Sequence, residues 1–166
     1  MKITKDWTLF LDRDGVLNED KPNSYVMSLD EFHILPGVKE AMKKLSGIFG
    51  TIVVCTNQRG VSKGLYTIEE MHRMNSFLSD EIKKSGGRID KVYYAIDLND
   101  NAPDRKPNTG MALQAKQDFP NIDFSKSIMV GNNISDMQFA RNAGIAKAIF
   151  LTTTVFDLQF PHPLID

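Results

Sequence analysis

The chain has 166 residues, 42% hydrophobic and 25% charged, with a formal net charge of −1, which fits one soluble globular domain and excludes a general attraction to nucleic acid or anionic membrane. The stretch Met1-Lys2-Ile3-Thr4-Lys5-Asp6 lacks a signal-peptide apolar region and no apolar run reaches membrane-spanning length. Cys55 is the only cysteine, so an internal disulfide is excluded and a reducing compartment fits; the expectation is a single cytoplasmic domain over residues 1–166, monomeric, with no membrane and no nucleic-acid partner.

Taken in chain order, strand and helix signals alternate. Trp7-Thr8-Leu9-Phe10-Leu11 reads as a buried strand, over about residues 7–12. A polar, turn-rich segment runs from Asn18 to Asp30. Pro36-Gly37 opens a helix with Val38, Ala41, Met42 and Leu45 at helical spacing. Thr51 to Thr56 is a second buried strand. Thr67-Ile68-Glu69-Glu70 has the pattern of a capping box and starts a helix with Ile68, Met71, Met74, Leu78 and Ile82 inward, ended by Gly86-Gly87. Lys91 to Ile96 is a third strand and Thr109 to Phe119 a helix. Ser127 to Val130 is a fourth strand ending at Gly131. Asp136 to Ala143 reads as helix, stopped by Gly144, and Ala148 to Leu151 is a fifth strand. This alternation predicts an α/β fold, a doubly wound parallel sheet. Residues 153–166, with Pro161 and Pro163, read as an irregular tail.

The most informative stretch is Asp12-Arg13-Asp14-Gly15. Residues two apart on extended backbone point the same way, so Asp12 and Asp14 lean over one pocket. Two anions this close are costly unless a cation or a reaction uses them. An isolated D-x-D-G is also compatible with an ordinary surface turn, but the rest of the chain argues against that. Thr56 and Asn57 end the second strand, Arg105 and Lys106 follow the third, and Asn132, Asn133 and Asp136 follow the fourth. Ligand sites of open α/β sheets lie beyond the carboxyl ends of the strands, so these groups converge on one crevice.

Phosphoryl transfer needs such a set. A carboxylate attacking a phosphate ester meets like-charge repulsion, which cations must offset. Magnesium held by carboxylates, with the Lys106 ammonium, can do so. Asp12 would form an aspartyl-phosphate. Asp14 would protonate the leaving alcohol and then deprotonate the water. The Thr56 hydroxyl and Asn57 main-chain N–H would hold phosphate oxygens.

Phe10-Leu11-Asp12-Arg13-Asp14-Gly15-Val16-Leu17-Asn18, Thr56-Asn57-Gln58-Arg59-Gly60-Val61 and Arg105-Lys106-Pro107 with Gly110-Met111 resemble the haloacid dehalogenase superfamily. The resemblance runs over about residues 7–152. It is strongest to the branch holding D-glycero-D-manno-heptose 1,7-bisphosphate phosphatase and histidinol-phosphate phosphatase, and Tyr25-Val26 ahead of Phe32 favours the heptose side. It implies a Rossmann-like phosphatase without a large cap domain. It also implies that Asp12 is the nucleophile, Asp14 the general acid/base, and magnesium the cofactor, touching the Asp12 carboxylate, the Asp14 carbonyl and the residue at Asn132. The expected substrate is a small sugar phosphate, a bisphosphate in the heptose case. Without a cap, selectivity falls to the loops Asn18 to Met27, Gln58 to Lys63 and Asp97 to Arg105, with Asn18, Tyr25, Gln58, Arg59 and Arg105 as substrate contacts and Arg59 as a reader of a second phosphate.

Two departures stand out. Relatives carry a Cys- and His-rich zinc loop before Arg-Lys-Pro, whereas Ala95 to Asp104 has no Cys or His, so no zinc is expected. His33, His72 and His162 are scattered and read as surface or packing residues. The usual Gly-Asp is here Gly131-Asn132. An amide oxygen can coordinate magnesium but brings no charge, leaving Asp136 as the outer or substitute carboxylate. Two alternatives follow: a histidinol-phosphate phosphatase, or a catalytically weakened protein that only binds a phosphorylated ligand.

Overall fold

Residue alternation in the strands sets the layering. In β1 (Thr8–Leu11) Leu9 and Leu11 enter one apolar core and Phe10 the other. In β2 (Thr51–Asn57) Ile52 and Val54 join the first, Val53 and Cys55 the second. A strand places successive side chains on opposite faces, and strands buried on both faces read as continuous apolar runs. The computed structural model describes residues 2–154 and 157–166.

β1 and β2 combine with β3 (Lys91–Ala95), β4 (Ser127–Gly131) and β5 (Lys147–Phe150) in one five-stranded sheet, order β3-β2-β1-β4-β5. All four pairings are parallel. Helices α1 (Val38–Ile48) and α2 (Ile68–Lys84) cover one face with Met42, Met71, Met74, Leu78 and Ile82. Helices α3 (Gly110–Asp118) and α4 (Ile134–Ala143) cover the other with Met111, Ala112, Ala115, Met137, Phe139 and Ala140. This is the doubly wound α/β fold. From β1 the chain moves outward to β2 and β3, then crosses back to β4, so the strand order reverses beside β1, where such sheets bind ligands. Leu11 is level with Val54 and with Val130, which aligns the carboxyl ends of the three central strands. Between β1 and α1 the only helical piece is the 3-10 turn Leu29–Glu31, and the described residues form no separate cap.

Local differences from the sequence pattern have physical causes. Helix α4 begins at Ile134, before Asp136, because Asn133 caps it: Asn133 accepts from Ser135 N, and Asp136 returns a bond to the cap. The Thr67 box is one-sided. Thr67 accepts from Glu70 N at 3.1 Å, but the Glu70 carboxylate turns away to Leu29 N at 2.8 Å. Ala41 stays exposed, and Met42 alone of α1 is fully buried. The described residues 157–166 carry neither helix nor strand; Leu164 and Ile165 pack on the second core. Val155 and Phe156 lie outside the described residues. No described helix is long and apolar enough to cross a membrane.

Candidate active site

Asp12 follows β1 directly, its N–H donating to Val130 O at 3.0 Å. Gly15 then turns the chain at φ 80°, a conformation that disfavours a side chain. A Cβ there would also overlap Asn132, so a glycine is needed twice over. The resulting cavity, of about 220 Å³, is lined by Asp12, Asp14, Asp20, Tyr25, Lys106 and Asn132 among others.

Lys106 Nζ lies 2.7 Å from Asp12 Oδ1 and 2.6 Å from Asp136 Oδ1. Burial alone would lower the lysine; the two carboxylates outweigh it and hold the ammonium above its ordinary range. Asp12 moves the other way. Burial pushes it up to about 7, aided by Asp136 and Asp14 and opposed by Lys106. One cation thus faces two buried anions, a net negative pocket that favours a further cation. The Cys55 thiol beneath is pushed by burial up to about 12, beyond useful reactivity.

The second Asp12 oxygen faces a different group. The end of the Asn132 amide stands 3.3 Å from Asp12 Oδ2 and 3.1 Å from the Asp14 main-chain oxygen; a nitrogen there would donate to both, and an oxygen there meets only acceptors unless a cation lies between them. No three of His, Cys, Asp and Glu converge among the described residues. The oxygens that do converge are one carboxylate, one carbonyl and one amide, a hard donor set that suits magnesium with waters completing the shell.

Asp14 is held by a web. Its oxygens receive Arg13 Nη2 at 2.9 and 3.1 Å, Asn18 Nδ2 at 2.9 Å and Gln58 Nε2 at 2.7 Å. Arg13 is itself buried, its Nη1 donating to Asn75 at 2.9 Å and its guanidinium over the Phe32 ring. Two expected substrate contacts take part in this web. Asn18 is fully buried behind Asp14 and supports it. Gln58 lines the cavity, but it bonds Asp14, Thr56 Oγ1 and the Tyr66 hydroxyl. Polar residues inside a motif do not announce whether they face a ligand or brace a neighbour.

Thr56 accepts from Gln58 at 2.8 Å, leaving its hydroxyl proton to donate. The Asn57 amide exchanges two bonds with the Lys106 main chain, at 3.1 and 3.0 Å, and so fixes the lysine's loop on the end of β2. Asp136 is brought to the site, yet both its oxygens are occupied. Oδ2 accepts from the N–H groups of Asn132 at 3.1 Å and Asn133 at 3.0 Å, and Oδ1 faces Lys106. These contacts tie it to the lysine and to the loop after β4, beside the expected metal position. Arg59 and Arg105 share the exposed Asp100 at the rim. Arg105 lines the cavity and Arg59 does not, and each keeps one buried guanidinium nitrogen without a partner among the described residues. Tyr25 lines it as expected, its hydroxyl accepting from Lys63 at 2.9 Å.

Polar bonds close the loop that lacks cysteines. Asn108 Nδ2 donates to Ala102 O at 2.9 Å, Gly110 N to Pro103 O at 2.9 Å, and Ala102 is buried. The motifs did not single out Asp20, Tyr66, Asn75 or Thr154, and they placed Asn133 in the crevice without its capping role. Asn133-x-x-Asp136 carried a readable capping signal; the others meet the site only through long-range folding.

The profile of the family described as polynucleotide kinase 3 phosphatase matches residues 6–156. A Campylobacter jejuni D-glycero-alpha-D-manno-heptose-1,7-bisphosphate 7-phosphatase is 35% identical over 147 residues, 89% of this chain and 83% of its own length. A D-glycero-beta-D-manno-heptose-1,7-bisphosphate 7-phosphatase of Helicobacter pylori is 31% identical, over 96% of this chain and 90% of its own length. Among solved structures, D,D-heptose 1,7-bisphosphate phosphatase from B. bronchiseptica, complexed with magnesium and phosphate, superimposes with a TM-score of 0.81. It is 29% identical, with 93% of this chain and 82% of that chain covered.

Proposed function

Since the chain belongs to the polynucleotide kinase 3 phosphatase family, within the haloacid dehalogenase superfamily, we propose that it is a magnesium-dependent phosphomonoesterase acting on D-glycero-D-manno-heptose 1,7-bisphosphate. It would act as a cytoplasmic monomer. The observation that carries the reading is the Lys106 ammonium against Asp12 Oδ1 while Asp12 Oδ2, the Asp14 carbonyl and the Asn132 amide group converge beside it.

In this mechanism Asp12 Oδ1 attacks phosphorus and the ester oxygen departs with a proton from Asp14. Asp14 then takes a proton from water as water attacks the aspartyl-phosphate, releasing phosphate and restoring Asp12. Lys106 uses two of its three donors on Asp12 and Asp136, and turns the third to a phosphoryl oxygen. The Thr56 hydroxyl and Asn57 N–H hold the others. Asp12 Oδ2, the Asp14 carbonyl and Asn132 Oδ1 would hold magnesium, which supplies positive charge against the repulsion between carboxylate and phosphoryl group.

The second phosphate of the sugar falls to Arg105. Its Nη1 is a buried donor with no partner among the described residues, and a buried donor left unpaired is costly unless a ligand completes it. Tyr25 and Ser24 border the same opening.

The test is a side-by-side assay of heptose 1,7-bisphosphate, histidinol phosphate and an aryl phosphate, with magnesium and after chelation. The heptose bisphosphate should have the highest kcat/KM and lose turnover on chelation. Preference for histidinol phosphate would move the chain to the other enzyme of the branch. No turnover on any ester, with retained phosphate-ligand binding, would establish the binding-only alternative.

A further inference from the structure

We propose that Thr154 and Asp20 are positioning residues that turn the Asn132 amide so that its oxygen, and not its nitrogen, faces the cation site. The inference rests on the magnesium reading above and concerns how this chain makes an amide serve where its relatives' pattern has a carboxylate. A carboxylate offers oxygen whichever way it turns. An amide offers oxygen on one side and an NH2 donor on the other, so its use as a ligand requires a fixed orientation.

Without a cation, local electrostatics favour the wrong orientation. Turned over, the amide nitrogen would lie 3.3 Å from Asp12 Oδ2 and 3.1 Å from the Asp14 carbonyl and could donate to both. It would then occupy the centre that a cation needs. What opposes this lies on the far side. Asn132 Nδ2 donates to Thr154 Oγ1 at 2.7 Å, and Thr154 Oγ1 donates to Asp20 Oδ2 at 3.1 Å. A hydroxyl has one proton. With Asp20 accepting it, Thr154 can only accept from Asn132, which requires the amide nitrogen. Turned over, the amide oxygen could take the Thr154 proton at 2.7 Å, but only by removing it from Asp20, since two acceptors would then share one proton.

The loop geometry supports the relay. Thr153 Oγ1 donates to Gly15 O at 2.5 Å, tying the Thr153-Thr154 loop after β5 to the turn that follows Asp14. A Cβ on Gly15 would overlap the Asn132 amide and crowd Thr154 Oγ1. The bare glycine leaves room for the amide nitrogen to reach the hydroxyl. Asn132 is buried, so no bulk water competes for its orientation.

The experiment measures metal binding directly, on metal-free protein, by electron paramagnetic resonance of Mn2+ and by calorimetry with Mg2+. Thr154→Val should weaken both metals about five- to tenfold, the scale of one or two lost net hydrogen bonds, and Thr154→Ser should stay within about twofold of wild type. The decisive comparison is made in the Asn132→Asp background. There no amide needs orienting, so Thr154→Val should change affinity less than about twofold. A merely structural role for Thr154 would weaken binding in both backgrounds alike, and that result would overturn the inference. So would Thr154→Val binding metal as wild type does. If wild type binds neither metal, the magnesium reading itself falls and this inference with it, whereas metal binding by wild type with an indifferent Thr154 removes the relay alone.

Discussion

Lys106 Nζ sits 2.7 Å from Asp12 Oδ1, a contact between residues 94 apart in the chain, and both side chains are buried. The pair carries a charge imbalance, because Asp136 adds a second carboxylate 2.6 Å from the same ammonium.

Removing the cation should therefore be severe. Lys106→Met leaves Asp12 and Asp136 buried together without compensation. Loss of one partner from a buried ionic cluster costs about 3–5 kcal/mol, so the urea midpoint should fall sharply and turnover should vanish. A Lys106→Met protein as stable as wild type would mean that water, not lysine, satisfies these carboxylates.

Removing the nucleophile should do the reverse to stability. Asp12→Asn leaves a neutral Lys106–Asp136 pair, so the metal-free variant should be more stable than metal-free wild type by about 1–2 kcal/mol near pH 8. The sign with pH follows from the raised Asp12 value of about 7 against an ordinary 3.8. Between these values the folded state binds a proton that the unfolded state does not. Wild type therefore gains stability from Asp12 as pH falls from 7 toward 4, and the gap to Asp12→Asn should close over that window. Thermal melts of the two proteins across pH would show it; a constant gap would contradict the assignment of the titration to Asp12.

At Asn132 the first concern is charge. Asn132→Asp adds a carboxylate beside the cation and should lower the magnesium needed for half-maximal activity about tenfold, equivalent to roughly 1.4 kcal/mol. Turnover should rise less, because the added charge also repels the phosphate. Asp136→Asn should lower kcat through the loosened Lys106 and change the magnesium requirement little, since both Asp136 oxygens are already engaged. Magnesium titrations of the three proteins separate these effects; a larger shift in Asp136→Asn would return Asp136 to the metal.

The two rim arginines should also separate. Arg105→Ala should raise KM for a sugar bisphosphate about tenfold or more, the scale of a lost charge-assisted contact, and raise KM for a monophosphate far less. Arg59→Ala, at a residue that does not line the cavity, should be mild for both. Equal effects of Arg105→Ala on the two substrates would show that it reads no distal phosphate.

The sheet was legible because each strand holds a run of at least three apolar residues, and the crevice because Asp12, Thr56, Lys106 and Asn132 fall at or after the ends of successive strands. Supporting roles were hidden. Nothing local in Gln58 or Asn18 tells that they brace Asp14. The Asp136 side chain looks like a free acid until Lys106 is folded against it. Thr154 sat in a stretch with no periodicity, and its partner Asp20 lies 134 residues away, a separation at which no pattern in a single sequence survives. Helix caps fell between these cases. Thr67 and Asn133 both head readable boxes, but only Asn133 completes its own, because Glu70 finds Leu29 instead.

In the proposed mechanism Asp12 carries the phosphoryl group. Its most direct test is acid-quenched mass spectrometry of Asp14→Asn after mixing with magnesium and an aryl phosphate, whose good leaving group needs no proton. One phosphoryl group should appear on the peptide holding Asp12, and none in the Asp12→Asn, Asp14→Asn double variant. A phosphoryl group on another residue, or turnover by Asp12→Asn near the wild-type rate, would contradict it.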